Sequence, residues 1–401
     1  MRHKFPPAWS THSFKEVAEV VTGTTPLTNR PEYYGSSIPF VGPAELGGTE
    51  PITRSFKWLS DEGAQQARLL PAEAVLVCCI GATIGKVGFS GTELATNQQI
   101  NALVCNQNIV FPRFAFHYCR TLETIIRHQG ASTTLPLLTK GRFQELEIPL
   151  PPIAQQKRIA AILDRAEELR GLRRQALGAL DAIAQSIFLE MFGDPTTNPK
   201  SWIRVRFSDL LSAIESGRSP NCLDRPVEDE EWGVLKLGAV TWCEYNPLEN
   251  KALPSNEKPD LSLEVKPGDL LFTRKNTFEL VAACALVRST PPRLLLPDLI
   301  FRFRTKPNAP IDLCFLHQLL INPAKRREIQ KLASGSASSM PNISKTKLET
   351  VLIEVPPLSL QQEFARRVEA IEQLKTTHRQ SLTQLDALFA SLQHRAFRGE
   401  L

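Results

Sequence analysis

Two stretches of the chain carry the same apolar stripe. Within residues 154–192, apolar side chains fall at Ile159, Ile162, Ala166, Leu169, Ala176, Leu177, Leu180, Ile183 and Ile187. That three-and-four spacing lines one side of a long helix. The stripe returns at Phe364, Val368, Ile371, Leu374, Leu382, Leu385, Leu388 and Leu392. Ala166 and Ile371, Leu169 and Leu374, Leu177 and Leu382, Leu180 and Leu385, and Ile187 and Leu392 all stand 205 residues apart. Polar pairs keep the same interval: Gln156 and Gln361, Glu167 and Glu372, Gln175 and Gln380, Asp181 and Asp386. A gapless offset of this length marks an internal repeat.

An apolar stripe must be covered, and each copy is the natural cover for the other. The predicted packing positions are Ile159, Ala166, Leu169, Leu177, Leu180 and Ile187 against Phe364, Ile371, Leu374, Leu382, Leu385 and Leu392. At 1.5 Å per residue such a helix reaches about 58 Å. An antiparallel pair therefore makes a stiff spacer with a globular module near each end. Arg173 and His378, again 205 residues apart, fall at the exposed edge of the stripe.

The globular parts repeat more loosely. Residues 14–21 predict a short helix ending at Thr22-Gly23, and 207–214 repeat it before Gly217. Residues 38–41 predict a strand, 74–80 a second after the turn Leu70-Pro71-Ala72-Glu73, and 95–104 a third. The turn Val265-Lys266-Pro267-Gly268-Asp269 and the strand 270–273 are the later counterparts of 70–77. Residues 111–128 have helical composition, and 129–140 form a Ser/Thr/Gly loop whose counterpart is 335–341. Pro151-Pro152 and Pro356-Pro357 stop each module before its helix, because proline cannot donate within one. The predicted class is α+β: two globular α/β domains separated by two long helices packed as an antiparallel coiled coil, with a pseudo-twofold internal repeat. The domain limits are 1–150, 151–193, 194–355 and 356–401.

Composition narrows the class. The chain has 401 residues, 42% hydrophobic and 22% charged, with net charge +5. That is ordinary for a soluble globular protein, and mildly basic in a way compatible with nucleic acid. No apolar run spans a bilayer, and Met1-Arg2-His3-Lys4-Phe5-Pro6-Pro7 lacks the apolar core of a signal peptide. The eight cysteines show no C-x-x-C spacing, so they predict buried thiols in a reducing cytoplasm. His117-x-Cys119 has no second pair to complete a metal site, and core packing is expected for both.

The helix entry Ile148-Pro149-Leu150-Pro151-Pro152-Ile153-Ala154-Gln155-Gln156-Lys157-Arg158-Ile159 and the exit Met191-Phe192-Gly193-Asp194-Pro195 carry a resemblance. So do Val355-Pro356-Pro357-Leu358-Ser359-Leu360-Gln361-Gln362, the loop 80–88 and Asn97-Gln98-Gln99-Ile100. Together they resemble the specificity subunit of type I restriction–modification systems. The resemblance implies two target-recognition domains, each reading one half of a split duplex DNA site. It implies helices that set the gap and dock two modification subunits, with restriction subunits as further partners. It implies no cofactor on this chain: S-adenosylmethionine, ATP and Mg would sit on the partners, and this chain would be non-catalytic.

Base readout needs hydrogen-bonding side chains, and phosphate contact needs cations or small polar groups. Candidates are Lys57, Thr83, Lys86, Asn97, Gln98, Ser132, Thr133, Lys140 and Arg142 in the first half. In the second they are Arg218, Lys236, Arg274, Lys275, Asn276, Ser336, Ser338, Asn342, Lys345 and Lys347. Gly81-x-x-x-Gly85-Lys86 lacks P-loop spacing and fits a strand-to-strand turn equally well. Three other classes compete. A DNA adenine methyltransferase would carry Asn/Asp-Pro-Pro-Tyr/Phe, but Asn198-Pro199, Asn246-Pro247 and Asn322-Pro323 continue differently. A nuclease would use Asp260 with Glu264 and Lys266, at cramped spacing. A scaffold binding only proteins would lack the steep salt dependence of phosphate contact.

Overall fold

A computed structural model describes residues 6, 9–130, 136–334 and 340–401. The chain forms two compact units, Met1–Gln175 with Gln380–Leu401, and Ala176–Arg379. In the first half β1 (Ser10–Ser13), α1 (Phe14–Val17) and β2 (Ala18–Thr22) lead into β3 (Tyr34–Val41), β4 (Trp58–Leu59), α2 (Asp61–Gln65) and β5 (Leu69–Leu70). Then come β6 (Val75–Cys78), β7 (Val87–Phe89), β8 (Leu94–Thr96), β9 (Ile100–Cys105), α3 (Pro112–Thr121), α4 (Glu123–Gly130), α5 (Lys140–Gln144), β10 (Glu147–Leu150) and the long α6 (Ile153–Phe192). The second half runs β11 (Ile203–Arg206), α7 (Phe207–Leu210), β12 (Leu211–Ser216), β13 (Gly233–Leu235), β14 (Asn250–Ala252), β15 (Leu270–Thr273) and β16 (Cys284–Leu286). It closes with β17 (Leu294–Leu295), β18 (Ile300–Thr305), α8 (Leu313–Ile321), α9 (Pro323–Gln330), α10 (Lys345–Glu349), β19 (Leu352–Val355) and the long α11 (Leu358–Ala396).

Each unit repeats one topology. A four-stranded antiparallel sheet β2-β9-β6-β7 in the first matches β12-β18-β15-β16 in the second. A second sheet holds a parallel pair, β3 with β8 in one unit and β13 with β17 in the other. A two-stranded ribbon, β1-β10 or β11-β19, brings each module's first and last strands together.

Three expectations are corrected. Residues 14–21 and 207–214 are not helices throughout. Each yields one turn, α1 or α7, before the chain enters β2 or β12, because Val20, Val21 and Ile214 pair with strands remote in sequence. Residues 95–104 are not one strand, since Asn97–Gln99 break it and send β8 and β9 into different sheets. Residues 111–128 divide at Leu122 into α3 and α4.

The long helices pack within each unit, and both of their halves are buried on module and partner helix together. In the first unit Ile159, Leu163 and Ala166 of α6 share one core with Phe389 and Ala396 of α11 and with Phe114 and Phe116 of α3. In the second, Phe188 and Phe192 of α6 meet Phe364 of α11 at ring distances of 5.7 and 5.3 Å. The pairing is antiparallel in the second unit, where Asp181 meets Lys375 and Phe192 meets Phe364. Of the predicted packing positions, Ile159, Ala166, Phe364 and Ile371 are buried, while Leu177, Leu180, Ile187, Leu382, Leu385 and Leu392 are half-buried. Leu169 and Leu374 are a correction: they expose 38% and 52%. The next residues, Arg170 and Lys375, take the seam instead, and one residue along a helix turns a side chain by about 100°.

Arg170 Nε donates to Asp386 at 2.6 Å, and Arg170 also pairs with Glu167 at 2.8 Å. Lys375 repeats this with Asp181 at 2.7 Å and Glu372 at 2.9 Å. Burial works against the Lys375 charge, but the carboxylates of Asp181 and Glu372 outweigh it and hold its pKa above the ordinary range. Arg173 and His378 are half-buried beside these networks.

The helix entries are clamped alike. Gln156 is fully buried: its Oε1 accepts the Phe111 N–H at 2.8 Å, and its Nε2 donates to the Ile109 and Pro151 carbonyls at 3.0 and 2.9 Å. Gln361 does the same with the Asp312 N–H at 2.8 Å and the Pro310 and Pro356 carbonyls at 3.0 and 2.8 Å. His117 and Cys119 are buried in the first core, and His117 Nε2 lies 2.8 Å from Asp164 of α6. All eight cysteines are free thiols. No helix among the described residues is long and apolar enough to cross a membrane.

Candidate nucleic-acid interface

In the first module one edge gathers the polar candidates. Strand β2 ends at Gly23, whose missing side chain lets the backbone pass the Thr96 and Asn97 carbonyls; a Cβ there would lie 2.2 Å from the Asn97 oxygen. Thr25 then donates its hydroxyl to Gln98 Oε1. Asn97 Oδ1 accepts the Gln99 N–H at 3.1 Å, and Asn97 Nδ2 donates to Gln99 Oε1 at 3.0 Å, closing a tight turn. The Gln99 carbonyl accepts the Cys79 N–H, and the Cys79 carbonyl accepts the Leu138 N–H. The 97–99 turn, the loop after β6 and the entry to α5 therefore lie side by side.

That loop is a strand-to-strand turn. Gly81 and Gly85 both have φ of +91°, and the Gly85 N–H returns to the Cys78 carbonyl. Thr83 is half-buried against the Cys78 thiol. Thr139 caps α5 by accepting the Arg142 N–H, leaving Lys140 and Arg142 exposed on its first turn.

The second module rebuilds this edge with other side chains. Gly217 makes the corresponding close passage, under the Leu296 carbonyl. Ser219 donates its hydroxyl to Asp298, as Thr25 does to Gln98. Lys275 bridges to Asn342 as Ile80 bridges to Leu137. Ser344 caps α10 by accepting the Lys347 N–H, as Thr139 caps α5. Lys345 and Lys347 stand 205 residues after Lys140 and Arg142. Arg274 and Lys345 both lie over the Phe301 ring, at 5.4 and 5.6 Å. Arg218 is exposed beside this edge, and hydrogen bonds from Ser262, with Arg218 nearby, hold the Asp260 carboxyl below its usual range.

Not every candidate reaches the edge. Lys86 turns toward the helices, bordering a cavity of about 310 Å³ with Arg120, Glu123, Phe389 and Gln393. Asn276 is buried and donates to Thr241, so it serves the core. Lys236 is paired with Glu249 at 3.0 Å, and Lys347 spends its ammonium on the Leu332 carbonyl at 2.8 Å. Lys57 is exposed on the loop before β4. Ser132, Thr133, Ser336 and Ser338 lie outside the described residues. The sequence reading missed Thr25, Ser219 and Asp298; Thr25 and Ser219 each stand two residues after their glycine, Gly23 or Gly217, whereas nothing in the spacing marks Asp298.

The nuclease-like residues have structural duties. Asp260 accepts the Ser262 N–H, and Glu264 accepts the Arg293 N–H at 2.9 Å. Among the described residues no three His, Cys, Asp or Glu side chains are grouped to hold a metal.

Two modules with one frame and different edge residues define a duplicated recognition protein. Residues 6–177 and 256–387 match the family described as the type I restriction modification DNA specificity domain. The match covers most of the chain, and the protein belongs to that family. The type I restriction enzyme EcoEI specificity subunit of Escherichia coli is 32% identical over 176 residues, covering 44% of this chain and 30% of that protein. The MjaIX specificity subunit of Methanocaldococcus jannaschii is 27% identical over 234 residues, covering 53% and 54%. This chain thus spans about a third to a half of those two relatives. The solved type I restriction–modification S subunit from M. genitalium shares the fold, with TM-score 0.60 at 12% identity over 99% of this chain and 97% of that one.

Proposed function

We propose that this chain is the DNA-reading subunit of a type I restriction–modification complex. Each module reads one half of a bipartite duplex site, and the helix pair sets the gap between halves. The observation that carries this reading is the repeated edge. Thr25–Gln98 and Ser219–Asp298 occupy one frame, and Lys140 with Arg142 precede Lys345 with Lys347 by 205 residues. A constant frame with changed donors and acceptors is what two different half-sites require.

The chemistry belongs to partners: modification subunits that carry S-adenosylmethionine and methylate adenine, and restriction subunits that use ATP and Mg. The complex works in the cytoplasm. Docking surfaces for two modification subunits are supported by exposed leucine and isoleucine side chains on the helices. Leu169 and Leu388 belong to one unit, and their counterparts Leu374 and Ile183 to the other. Leu169→Asp with Leu374→Asp leaves the thermal midpoint of the free chain unchanged and abolishes co-purification of the modification subunit; unaltered co-purification refutes the docking sites.

The primary test is single-molecule methylome sequencing of the source with and without the gene. A bipartite motif vanishes with the gene, and exchanging residues 14–150 for those of another family member alters one half of the motif only. One contiguous motif, or a swap that alters neither half, refutes the reading.

A further inference from the structure

The first module presents one group that hydrogen-bond readout does not use. Phe56 exposes 90% of its surface. Its loop is well held. The Phe56 N–H donates to Glu45 Oε1 at 3.0 Å, and the other Glu45 oxygen accepts the Gly42 N–H at 2.8 Å. Ser55 Oγ donates to the Phe40 carbonyl at 2.7 Å, Trp58 Nε1 donates to the Ser55 carbonyl at 2.8 Å, and the Phe40 N–H donates to the Lys57 carbonyl at 2.8 Å. Five hydrogen bonds thus fix the backbone on both sides of a ring that faces solvent. A single exposed apolar side chain is ordinary on a protein surface; what sets Phe56 apart is its rigid support and the exposed cations beside it.

Two features say what the ring meets. Its neighbours Arg54 and Lys57 are both exposed cations, suited to phosphates. Glu45, which holds the Phe56 N–H, follows the end of β3, and the parallel partner β8 runs straight into the Asn97–Gln99 turn. Phe56 therefore belongs to the same strand-end edge as Asn97 and Gln98.

The second module repeats the device. Strand β14 pairs antiparallel with β13 as β4 pairs with β3. Leu248 stands two residues before β14, as Phe56 stands two before β4. It is 78% exposed, and its N–H is likewise tied to a side-chain oxygen, Asn246 Oδ1 at 3.1 Å.

We propose that Phe56 is an aromatic wedge that enters a base step at the margin of the half-site read by the first module, while Arg54 and Lys57 hold the flanking phosphates. Leu248 is the aliphatic counterpart in the second module. The proposal rests on the reading that the modules bind duplex DNA. Apolar wedges unstack a step and kink the duplex. The energetic cost depends on the step, so the wedge adds sequence preference at a position with no hydrogen-bonded base contact, favouring flexible pyrimidine–purine steps.

The test uses the full chain assembled with its modification subunits and duplexes carrying 2-aminopurine at each position in and beside the first half-site. The wild-type complex raises fluorescence at one step besides the adenine that the modification subunits flip out. Phe56→Ala abolishes that rise and weakens binding about tenfold, leaving the salt dependence unchanged. Phe56→Trp restores both, and Lys57→Ala lowers the salt slope by about one. Phe56→Ala with unchanged fluorescence and affinity overturns the wedge and leaves the DNA-reading assignment standing. So does a variant that loses modification subunits but not the fluorescence rise, which would make Phe56 a protein contact. A wild-type complex that binds no bipartite duplex overturns the assignment and the wedge with it.

Discussion

Replacing Gln156 with alanine tests how each module is fixed to its helix. The side chain is fully buried and makes three hydrogen bonds of 2.8–3.0 Å: from the Phe111 N–H, and to the Ile109 and Pro151 carbonyls. Each is worth about 1 kcal/mol net, so losing all three costs about 3 kcal/mol. Gln156→Glu separates polarity from packing. It keeps the acceptor for Phe111 but aims a second oxygen at two carbonyls, so at neutral pH it destabilises at least as much as alanine. At acid pH the protonated carboxyl regains one donor and the gap narrows. Guanidinium unfolding gives the total, and hydrogen exchange of a peptide spanning 106–116 shows where the loss falls. The peptide around Asp312 keeps its protection in Gln156→Ala and loses it in Gln361→Ala. A loss below about 1 kcal/mol, with the Phe111 amide still protected, would mean that water replaces the amide and the clamp reasoning is wrong.

Other outcomes follow from the same geometry. Burial pushes the His317 imidazole down from 6.5 to about 4, and its Nε2 donates to the Cys243 and Cys284 carbonyls. Between those values the unfolded chain binds the extra proton, so stability is full above pH 6.5 and falls by about 3 kcal/mol toward pH 4; His317→Gln flattens that difference, and an unchanged pH profile refutes it. Lys140→Ala with Arg142→Ala reduces the slope of log affinity against log salt by up to about 1.8 and leaves the bases read by the second module unaltered, as measured by titration on variant duplexes. Four residues inserted after both Gln175 and Arg379, where the compact units divide, lengthen the spacer by about 6 Å. The tolerated gap in the methylated motif then grows by about two base pairs, whereas an unmoved gap removes the ruler role.

The helices were readable because their signal is local and doubled: one stripe, a gapless offset and a proline pair at each entry. The correspondence of Gln156 and Gln361 shows in the sequence as the 205-residue interval, whereas their hydrogen-bond partners do not. The modules were harder, because tertiary partners override local pattern. Val20 and Val21 continue a plausible helical stripe until β9 offers them a ladder. Lys86 and Asn276 have the residue types that grip DNA, but one turns toward α11 and the other into the core. Leu169 and Leu374 lost the seam to Arg170 and Lys375, since amphipathic arginine and lysine stems bury well when their charges find carboxylates. Phe56 gives no signal in the sequence, because nothing local distinguishes an exposed phenylalanine from a buried one.

The crossed ownership of the helix tails has a further consequence. The first unit is completed by Phe397, which packs on Phe114 and Tyr118, and the second by Phe192, which packs on Phe315 and Phe364. These two phenylalanines are 205 residues apart, so each half of the chain ends in the plug that the other half lacks. A gene broken in the linker after Gly193 would strand its first product without a plug, yet that product carries an equivalent one. On the proposed function, two copies of it that exchanged tails would make a symmetric reader of a palindrome.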